Sequence, residues 1–345
     1  MAVGIGIIGC GAIGQRRHIP EAAANPDCKL VAVCDYLADR SKSVAEHYGC
    51  KAFTDYHEML ELPEIDAVAI GIRNDLHASV TIDALKAGKH ALCEKPIATT
   101  LEEAQEMIDT AASCGKFLMV GHNQRLMPAH VKAKEILRSG KLGKVLTFRT
   151  MFEHSGPQNW VLEQSMQSWF FQKDLAIMGA TGDLGVHKAD LIRWLIDSEV
   201  EQVSALLGTL DKKYDNGQPV TVDDNAVCLL KMKSGAFGTI VASWTNYGPE
   251  SNGTTLNCSK GVMQIGTDPE WGVIVYYSNG NVEKYKIGEM STNTKQVSSG
   301  VMDQFVEAIK NNHKPEISGE EGYRALQIIL ACMEACRENK VVTLG

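Results

Sequence analysis

Residues 3–14 read VGIGIIGCGAIG and decide the fold of the first half of the chain. Residues 3–9 form an apolar run without polar alternation, which is typical of a strand buried on both faces. Glycines follow directly, and the amphipathic residues 12–24 predict a helix after them. A strand, a tight turn and a helix in this order begin a βαβ unit, so this stretch predicts an α/β fold.

The same alternation of apolar runs and amphipathic stretches continues to about residue 120. It predicts a doubly wound domain with a parallel sheet, which we place at residues 1–123. Further strands are predicted at residues 29–34, 66–71, 90–93 and 117–120, and helices at residues 38–47, 76–87 and 101–113.

The pattern changes after about residue 123, where extended segments follow one another with tight turns such as Ser234-Gly235 and Asn279-Gly280. Successive strands of this kind predict an α+β domain with a mostly antiparallel sheet over residues 124–345. Strands are predicted at residues 144–153, 200–210, 225–233, 236–244, 254–257, 262–265 and 273–277, and helices at residues 129–138, 183–195, 301–310 and 320–337.

Composition narrows the class of protein. A chain of 345 residues exceeds one ordinary core, and its net charge of -8 has both signs interspersed, which argues against a nucleic-acid surface. No apolar run approaches the roughly 18–20 residues that cross a bilayer, and the start lacks the features of a signal peptide. The ten cysteines include no CxxC pair, so we expect buried thiols and no metal site. We therefore expect a cytoplasmic protein without a nucleic-acid or membrane partner.

The glycine run GCGAIG at residues 9–14 predicts a dinucleotide-binding site of the Rossmann type. Gly9 permits the tight turn, Gly11 lets the backbone approach a pyrophosphate, and Gly14 lets the helix pack closely on the strand. The helix N-terminus attracts the negative charge, whereas a purely structural turn is the alternative. The expected cofactor contacts in this loop are Gly9, Gly11, Ala12, Ile13 and Gly14.

Asp35 ends the second predicted strand about 20 residues after Gly14. A carboxylate at this position can accept hydrogen bonds from the adenosine ribose and would repel a 2′-phosphate, so NAD is favoured over NADP. A helix-capping role is the alternative for Asp35, and Arg40 could weaken the cofactor preference.

Two further motifs carry groups suited to acid–base chemistry. Lys95 lies in a Glu-Lys-Pro turn at the carboxyl edge of the sheet, and the proline restricts it to an extended conformation. Asp183 and His187 are four residues apart in a predicted helix and so share one face. The unperturbed pKa of histidine, about 6.5, suits the base in alcohol oxidation. Spacing alone favours a solvated Glu–Lys pair, a helix cap and a packed histidine.

Taken together, GCGAIG, Asp35, the segment GKHALCEKP at residues 88–96 and GDLGVH at residues 182–187 resemble the Gfo/Idh/MocA family over essentially the whole chain. This family includes glucose–fructose oxidoreductase and inositol dehydrogenase. The resemblance implies a catalytic group in which Lys95 binds the reacting hydroxyl and His187 is the general acid/base. It implies that Asp183 orients the substrate or tunes Lys95.

The resemblance also implies an open-faced sheet in the second domain, which often pairs subunits, so we expect a homodimer or a homotetramer. This chain has residues 177–182 where the family commonly has a glycine run, and Arg73 where a proline is more usual. Further cofactor contacts implied by the resemblance are Ile72, Asn74, His77, Glu94, Lys95 and Asn123.

The loop at residues 154–174 is rich in tryptophan, glutamine and phenylalanine and precedes the helix with His187. Trp160 or Trp169 could stack on a sugar-like ring, and a subunit contact or ordinary core packing is the alternative. Arg125 could bind an acidic substituent of a substrate or could bridge the two domains.

The function implied is an NAD-dependent oxidoreductase that transfers a hydride between a secondary hydroxyl of a sugar, cyclitol or glycoside and the nicotinamide. One alternative keeps NAD bound and cleaves a glycoside by transient oxidation and elimination. Another is a non-catalytic NAD(P)-binding regulator, against which the intact set of Lys95, Asp183 and His187 speaks.

Overall fold

A computed structural model describes residues 2–287 and 298–345 of the chain. These residues form a six-stranded sheet and a nine-stranded sheet, each with helices packed against it. The expected α/β domain followed by an α+β domain with a large, mostly antiparallel sheet is confirmed. Among the described residues, no helix has the length and apolar character that crossing a membrane would need.

The six-stranded sheet is entirely parallel, with the order β3-β2-β1-β4-β5-β6. Its strands are β1 Val3–Ile8, β2 Cys28–Cys34, β3 Lys51–Phe53, β4 Ala67–Ile70, β5 His90–Cys93 and β6 Leu118–Val120. Every residue of β1 is buried, as its unbroken apolar run predicted. The strand order reverses between β1 and β4, and a crevice for a ligand forms outside the carboxyl ends of strands at such a point.

The helices between these strands are α1 Ile19–Ala24, α2 Ala38–Tyr48, α3 Tyr56–Leu60, α4 His77–Lys86 and α5 Leu101–Cys114. The helix predicted at residues 12–24 is confirmed, although its turn Gly14–His18 is π-helical. A capping box between Thr100 and Glu103 begins α5, and Gly115 ends it with φ 62°. The sequence patterns missed the short elements β3 and α3 and the 3-10 turn at Asn74–Leu76 in this part of the chain.

The nine-stranded sheet has the order β14-β13-β12-β11-β7-β10-β9-β8-β15, and only the β7–β10 pair is parallel. Its strands are β7 Val145–Glu153, β8 Val200–Gly208, β9 Asn225–Met232, β10 Phe237–Ser243, β11 Thr254–Cys258, β12 Gly261–Ile265, β13 Val273–Tyr277, β14 Val282–Tyr285 and β15 Val342–Thr343. All seven predicted strands are confirmed, whereas β14 and β15 are additional. Burial alternates along β9, where Val227 and Leu229 are 50% and 52% exposed, so one face of the sheet is open.

The helices of this half are α6 Pro128–Arg138, α7 Lys173–Ala176, α8 Val186–Ile196, α9 Val301–Lys310 and α10 Gly319–Glu338. The last two return to the six-stranded sheet, where the Val120 amide donates to the Ile317 carbonyl at 2.9 Å and α10 packs on α5 and β6. The segment from Ile317 to the end of α10 therefore contacts both sheets and holds them together. The domain boundary between residues 123 and 124 stays a prediction.

Candidate active site

In the glycine loop after β1, neighbouring atoms leave no room for a side chain at Gly9 or Gly14, whereas the space at Gly11 is open. Gly9 has φ 102°, and a Cβ on it would lie 2.2 Å from the Gly71 carbonyl oxygen. A Cβ on Gly14 would lie 2.1 Å from the Gly9 oxygen, so the helix can approach the strand only without a side chain there. Among the described residues, apart from the chain neighbours of Gly11, no atom lies within 4 Å of a Cβ placed on Gly11. The open space over Gly11 fits the close approach of a cofactor pyrophosphate.

Asp35 lies beside this loop at the end of β2 and is buried. Its Oδ2 accepts from the Cys10 amide at 2.9 Å, and its Oδ1 accepts from the Leu37 amide at 3.0 Å. A carboxylate has about four lone-pair positions, so further positions remain for ribose hydroxyls. Arg40 lies 3.5 Å from Asp35 Oδ2 and also pairs with Glu163 of the second half of the chain, so carboxylates flank its guanidinium on both sides.

The segment after β4 is held by hydrogen bonds to neighbouring loops. Asn74 is buried, and its Nδ2 donates to the Ala176 carbonyl at 3.2 Å. His77 Nδ1 lies 2.7 Å from the Pro96 carbonyl, and its Nε2 lies 3.2 Å from the Ile72 carbonyl. Burial lowers the pKa of His77. Its polar atoms thus join the loops after β4 and β5, and the cofactor contacts implied for this segment stay predictions.

Glu94 is buried beneath the crevice between the loops after β5 and β6. Its Oε1 lies 2.9 Å from His18 Nε2, and its Oε2 accepts from the Lys95 amide at 3.2 Å. Burial alone would raise the pKa of Glu94, but the hydrogen bond and charge of His18 lower it to about 2. A Cβ on Gly121 would lie 2.9 Å from this carboxylate, so the next loop needs glycine. Asn123 follows in that loop and is also buried.

Lys95 and Asp183 meet across the crevice although 88 residues separate them. Lys95 Nζ donates to Asp183 Oδ1 at 2.8 Å and to the Asp183 carbonyl at 3.0 Å. An ammonium group has three donors, so one remains for a bound ligand. The other carboxylate oxygen of Asp183 accepts from Trp244 Nε1 at 3.2 Å. The pair is therefore held at both carboxylate oxygens and still offers one N–H.

His187 is buried near this pair. Its ring centroid lies 5.9 Å from that of Phe152 and 6.3 Å from that of His122, and its Nδ1 has no hydrogen-bond partner among the described residues. Burial, followed by the charge of Lys95, holds the pKa of His187 well below its ordinary value. The imidazole is therefore neutral at neutral pH and able to accept a proton.

The helix that carries these groups begins differently from the sequence expectation. An α-helix from Asp183 was predicted, but Thr181–Gly185 form a π-helical turn before α8. Asp223 holds this turn, since its Oδ1 accepts from the Gly179 amide at 2.9 Å and its Oδ2 accepts from the Thr181 amide at 2.8 Å. Such turns are rare and occur frequently at functional sites.

Ile177 stands just before this turn, within the segment that replaces the glycine run of the family. Its φ of 64° is in the left-handed region, which a β-branched residue rarely adopts. The departure seen in the sequence therefore corresponds to a strained backbone beside the candidate site.

Arg125 is buried and paired with two carboxylates. Its Nε and Nη2 donate to Asp190 at 2.7 and 2.5 Å, and Nη2 also donates to Glu321 at 2.5 Å. Burial alone would lower the pKa of Arg125, but the charge of Asp190 outweighs it and raises the pKa above the ordinary value. These contacts occupy the guanidinium between α8 and α10, which both lie within residues 124–345, so the binding of an acidic substituent and the bridging of the two domains both stay predictions.

The two candidate tryptophans form an aromatic cluster with Phe170. Trp169 stacks on Phe170 with centroids 3.9 Å apart, and Trp160 meets Phe170 edge-on at 5.0 Å. Phe171 packs edge-on against Trp244 at 5.5 Å, so the loop touches the residue that binds Asp183. Trp160 Nε1 is buried without a hydrogen-bond partner in the part of the chain that the structure describes.

Sequence reasoning missed Trp244 and Asp223. Trp244 follows an apolar strand and has the pattern of a core residue, and Asp223 lies in a connection before β9. No local spacing relates either residue to Asp183 or Gly179, because both contacts depend on how the nine-stranded sheet packs against α8.

A glycine loop with an acidic residue at the end of β2, and a Lys–Asp pair beside a neutral histidine, define an NAD-binding oxidoreductase. The family model described as "oxidoreductase family, NAD-binding Rossmann fold" matches residues 3–122, and the "GFO/IDH/MocA C-terminal domain" matches residues 130–264. The chain belongs to the Gfo/Idh/MocA family of oxidoreductases. The expected NAD cofactor and the expected dehydrogenase class are confirmed.

Relatives of known activity agree with this class. Levoglucosan dehydrogenase of Pseudarthrobacter phenanthrenivorans is 31% identical over 272 residues, which cover 71% of this chain and 68% of the relative. Myo-inositol 2-dehydrogenase of Thermotoga maritima is 28% identical and covers 99% of this chain and 98% of its own length. A structure of levoglucosan dehydrogenase with NADH and levoglucosan superimposes with a TM-score of 0.87 at 25% identity and 99% coverage of both chains.

Proposed function

We propose that this chain oxidises a secondary hydroxyl of a sugar, cyclitol or glycoside with NAD as the hydride acceptor. The observation that carries the proposal is the Lys95–Asp183 pair, 2.8 Å between Nζ and Oδ1, beside the neutral and buried His187. The substrate class is supported by the relatives, which are named for levoglucosan and myo-inositol.

The residues of the crevice would hold the cofactor along its length. The open backbone at Gly11 would receive the pyrophosphate, and Asp35 would accept from the adenosine ribose. Glu94 and Asn123, in the loops after β5 and β6, would approach the nicotinamide end. When bound, NAD supplies the acceptor for the hydride.

The side chains around the hydroxyl would bind its oxygen, accept its proton and orient the lysine. Lys95 would donate its free N–H to the hydroxyl oxygen and stabilise the negative charge that develops there. His187 would accept the hydroxyl proton, for which its neutral ring is suited. Asp183 would keep the ammonium aimed at the oxygen through its 2.8 Å contact. The aromatic cluster of Trp160, Trp169 and Phe170 would offer a face to a sugar ring.

A screen for NADH formation with polyols, aldoses, sugar acids and glycosides tests this function. Lys95→Met should lower kcat about 10³-fold, because hydroxyl binding and charge stabilisation are both lost. The exposed control Lys86→Met should keep full activity. Measured NADH affinity of Lys95→Met should stay close to that of the unaltered chain.

The products separate the proposed dehydrogenase from its alternatives. Free NADH with the oxidised, uncleaved sugar is the expected result. Cleavage of a glycoside without release of NADH would instead support a mechanism of oxidation and elimination. Full activity of Lys95→Met on the best substrate would contradict the role assigned to Lys95.

A homodimer or homotetramer in the cytoplasm belongs to the same proposal. The open face of the nine-stranded sheet supports the oligomer, since several large apolar side chains stand on it in register. They are Leu206, Val227, Leu229 and Phe237, which are 75%, 50%, 52% and 55% exposed.

A further inference from the structure

Lys188, the residue after His187, lies in an environment that the proposed reaction does not explain. Its side chain is fully buried, and its Nζ has no hydrogen-bond partner within residues 2–287 and 298–345. A buried ammonium without a partner is strongly unfavourable, so a lysine in this position needs either a neutral amine or an unseen partner.

Lys188 and His187 share a neighbour on β7. Lys188 Nζ lies 5.9 Å from the centroid of the Phe152 ring, and the His187 ring centroid also lies 5.9 Å from it. The amine and the imidazole thus lie against the same aromatic ring beneath the candidate active site.

Asn252 brings a second unpartnered group to this place. Glu153 and Ser251 exchange backbone hydrogen bonds at 2.8 and 2.9 Å, so Asn252 stands directly opposite Phe152 on the adjoining strand. Side chains in such a pair have Cβ atoms about 4.5–5.5 Å apart. Both are buried, and neither amide atom of Asn252 has a hydrogen-bond partner among the described residues.

His130 adds a third group from α6. Its Nδ1 bonds to the Gln124 carbonyl at 2.7 Å, while its Nε2 is buried and has no partner in the described part of the chain. Burial is the main cause that lowers the pKa of His130 and of His187, and Lys188, when it is protonated, lowers both further. We define His130, His187, Lys188 and Asn252 as the inner pocket.

Among the described residues, none of these polar atoms of the inner pocket bonds to another, although they include donors and acceptors. Buried polar groups nearly always have a partner, and where the protein supplies none, ordered water does. Water between Lys188, Asn252 and His187 would satisfy these atoms together.

We propose that buried water connects His187 Nδ1 to Lys188, and that Lys188 receives the proton that His187 passes on when the substrate hydroxyl is deprotonated. The hydroxyl O–H bond breaks as His187 gains a proton at Nε2. The Nδ1–H proton moves to water, and water protonates the Lys188 amine to an ammonium. Reduction runs the same steps backwards. Lys188 acts through His187, so it is a positioning residue, and its role rests on the proposed function.

The charges around Lys188 are compatible with this role. Burial lowers the pKa of Lys188 to about 7, while the charge of Glu250 raises it. Glu250 is exposed, and its negative charge favours the ammonium form that the relay produces. The other titratable groups facing the amine are His187 on its own helix and His130 on α6, and β7 presents the uncharged Phe152.

The pH profile of kcat for oxidation tests the relay. In the unaltered chain kcat should fall below pH about 7, because a charged Lys188 cannot accept the proton. Lys188→Met should lower kcat about tenfold near pH 8 and should remove this inflection.

Asn252→Leu should also lower kcat, because the water loses a partner. Lys134→Met, which alters another buried lysine, should keep the inflection. An inflection near pH 7 that persists in Lys188→Met would contradict the relay.

Thermal unfolding supplies a readout that needs no substrate. An unfolded lysine has a pKa of about 10.4, so between pH 7 and 10 the unfolded chain binds more protons than the folded chain. Lys188→Met should therefore have the higher Tm at pH 7, and its advantage should shrink toward pH 10. A Tm difference that is constant with pH would contradict a neutral buried amine. If this test succeeds while no substrate is oxidised, the proposed function fails and the state of Lys188 stands.

Discussion

Asp183 shows how one side chain organises the reacting groups. One carboxylate oxygen accepts from Lys95 at 2.8 Å, and the other accepts from the Trp244 indole at 3.2 Å. The carboxylate can therefore rotate only if it gives up one of these bonds. The Lys95 ammonium is therefore held in one orientation. For the reaction, this orientation matters more than the strength of a base.

Trp244→Phe should weaken this arrangement while it keeps an aromatic side chain at a fully buried position. The phenyl ring is smaller than the indole, so some packing is lost as well as the donor to Asp183 Oδ2, and we expect kcat/KM to fall about five- to tenfold, equivalent to about 1 to 1.4 kcal/mol. Steady-state kinetics on the best substrate measures the change. Trp194→Phe is the matched control, since it removes an indole bond to Glu316 away from the site, and it should leave kcat/KM unchanged. Equal effects of both variants would contradict the role of Trp244.

At the scale of elements, the site consists of loops at the ends of strands and one helix. The glycine loop follows β1, the Lys95 turn follows β5, and Asp183 begins the helical segment that continues as α8. Strand ends are rigid supports, and the hydrogen bonds of Asp223 fix the start of the helix. Short loops on rigid elements explain how residues from separate motifs reach one crevice.

Two glycines of the same loop should respond differently to a methyl group. Gly11→Ala should leave Tm nearly unchanged, since the structure describes no atom within 4 Å of the new Cβ apart from those of its chain neighbours, but should raise the Kd for NADH at least about tenfold. Gly14→Ala should lower Tm by about 5 °C, because its Cβ would lie 2.1 Å from the Gly9 oxygen. Calorimetry and fluorescence titration measure the two effects. Unchanged NADH affinity in Gly11→Ala would show that the cofactor does not approach this backbone.

At the scale of the whole molecule, the candidate site depends on the contacts between the two halves of the chain as much as on either sheet. Arg125 joins Asp190 on α8 to Glu321 on α10, and α10 also packs on α5 and β6 of the parallel-sheet half. Helix α10 thus contacts both halves of the chain, between which Lys95 meets Asp183. The other face of the nine-stranded sheet is open and carries exposed apolar side chains among charged ones, and the expected oligomer would use this face.

Leu229→Glu should convert the expected oligomer into a monomer, because it places a charge on the open sheet face, where Leu229 is 52% exposed. Light scattering coupled to gel filtration measures the mass. Val131→Glu on α6, where the side chain is 39% exposed, should keep the oligomer. A monomeric unaltered chain would show the oligomer prediction to be wrong.

Much of the fold could be predicted from local patterns. The apolar run of β1, the alternation in β9 and the glycines of the loop each act within a few residues, so their consequences can be seen in the sequence. Elements with few residues, such as β3 and β15, carry too little pattern and were missed. The π-helical turn at Asp183 was missed as well, because its bonds to Asp223 come from a distant part of the chain.

The chemistry of the site depended on tertiary packing. The carboxylate at Asp35 and the glycine spacing already predicted a dinucleotide, whereas spacing alone left Lys95 and His187 as ordinary surface and core residues. Only the tertiary structure brings Lys95 to Asp183, buries His187 and leaves the Lys188 amine without a hydrogen-bond partner among the described residues. Burial and long-range charge change a pKa, and neither can be seen in the spacing of residues along the chain.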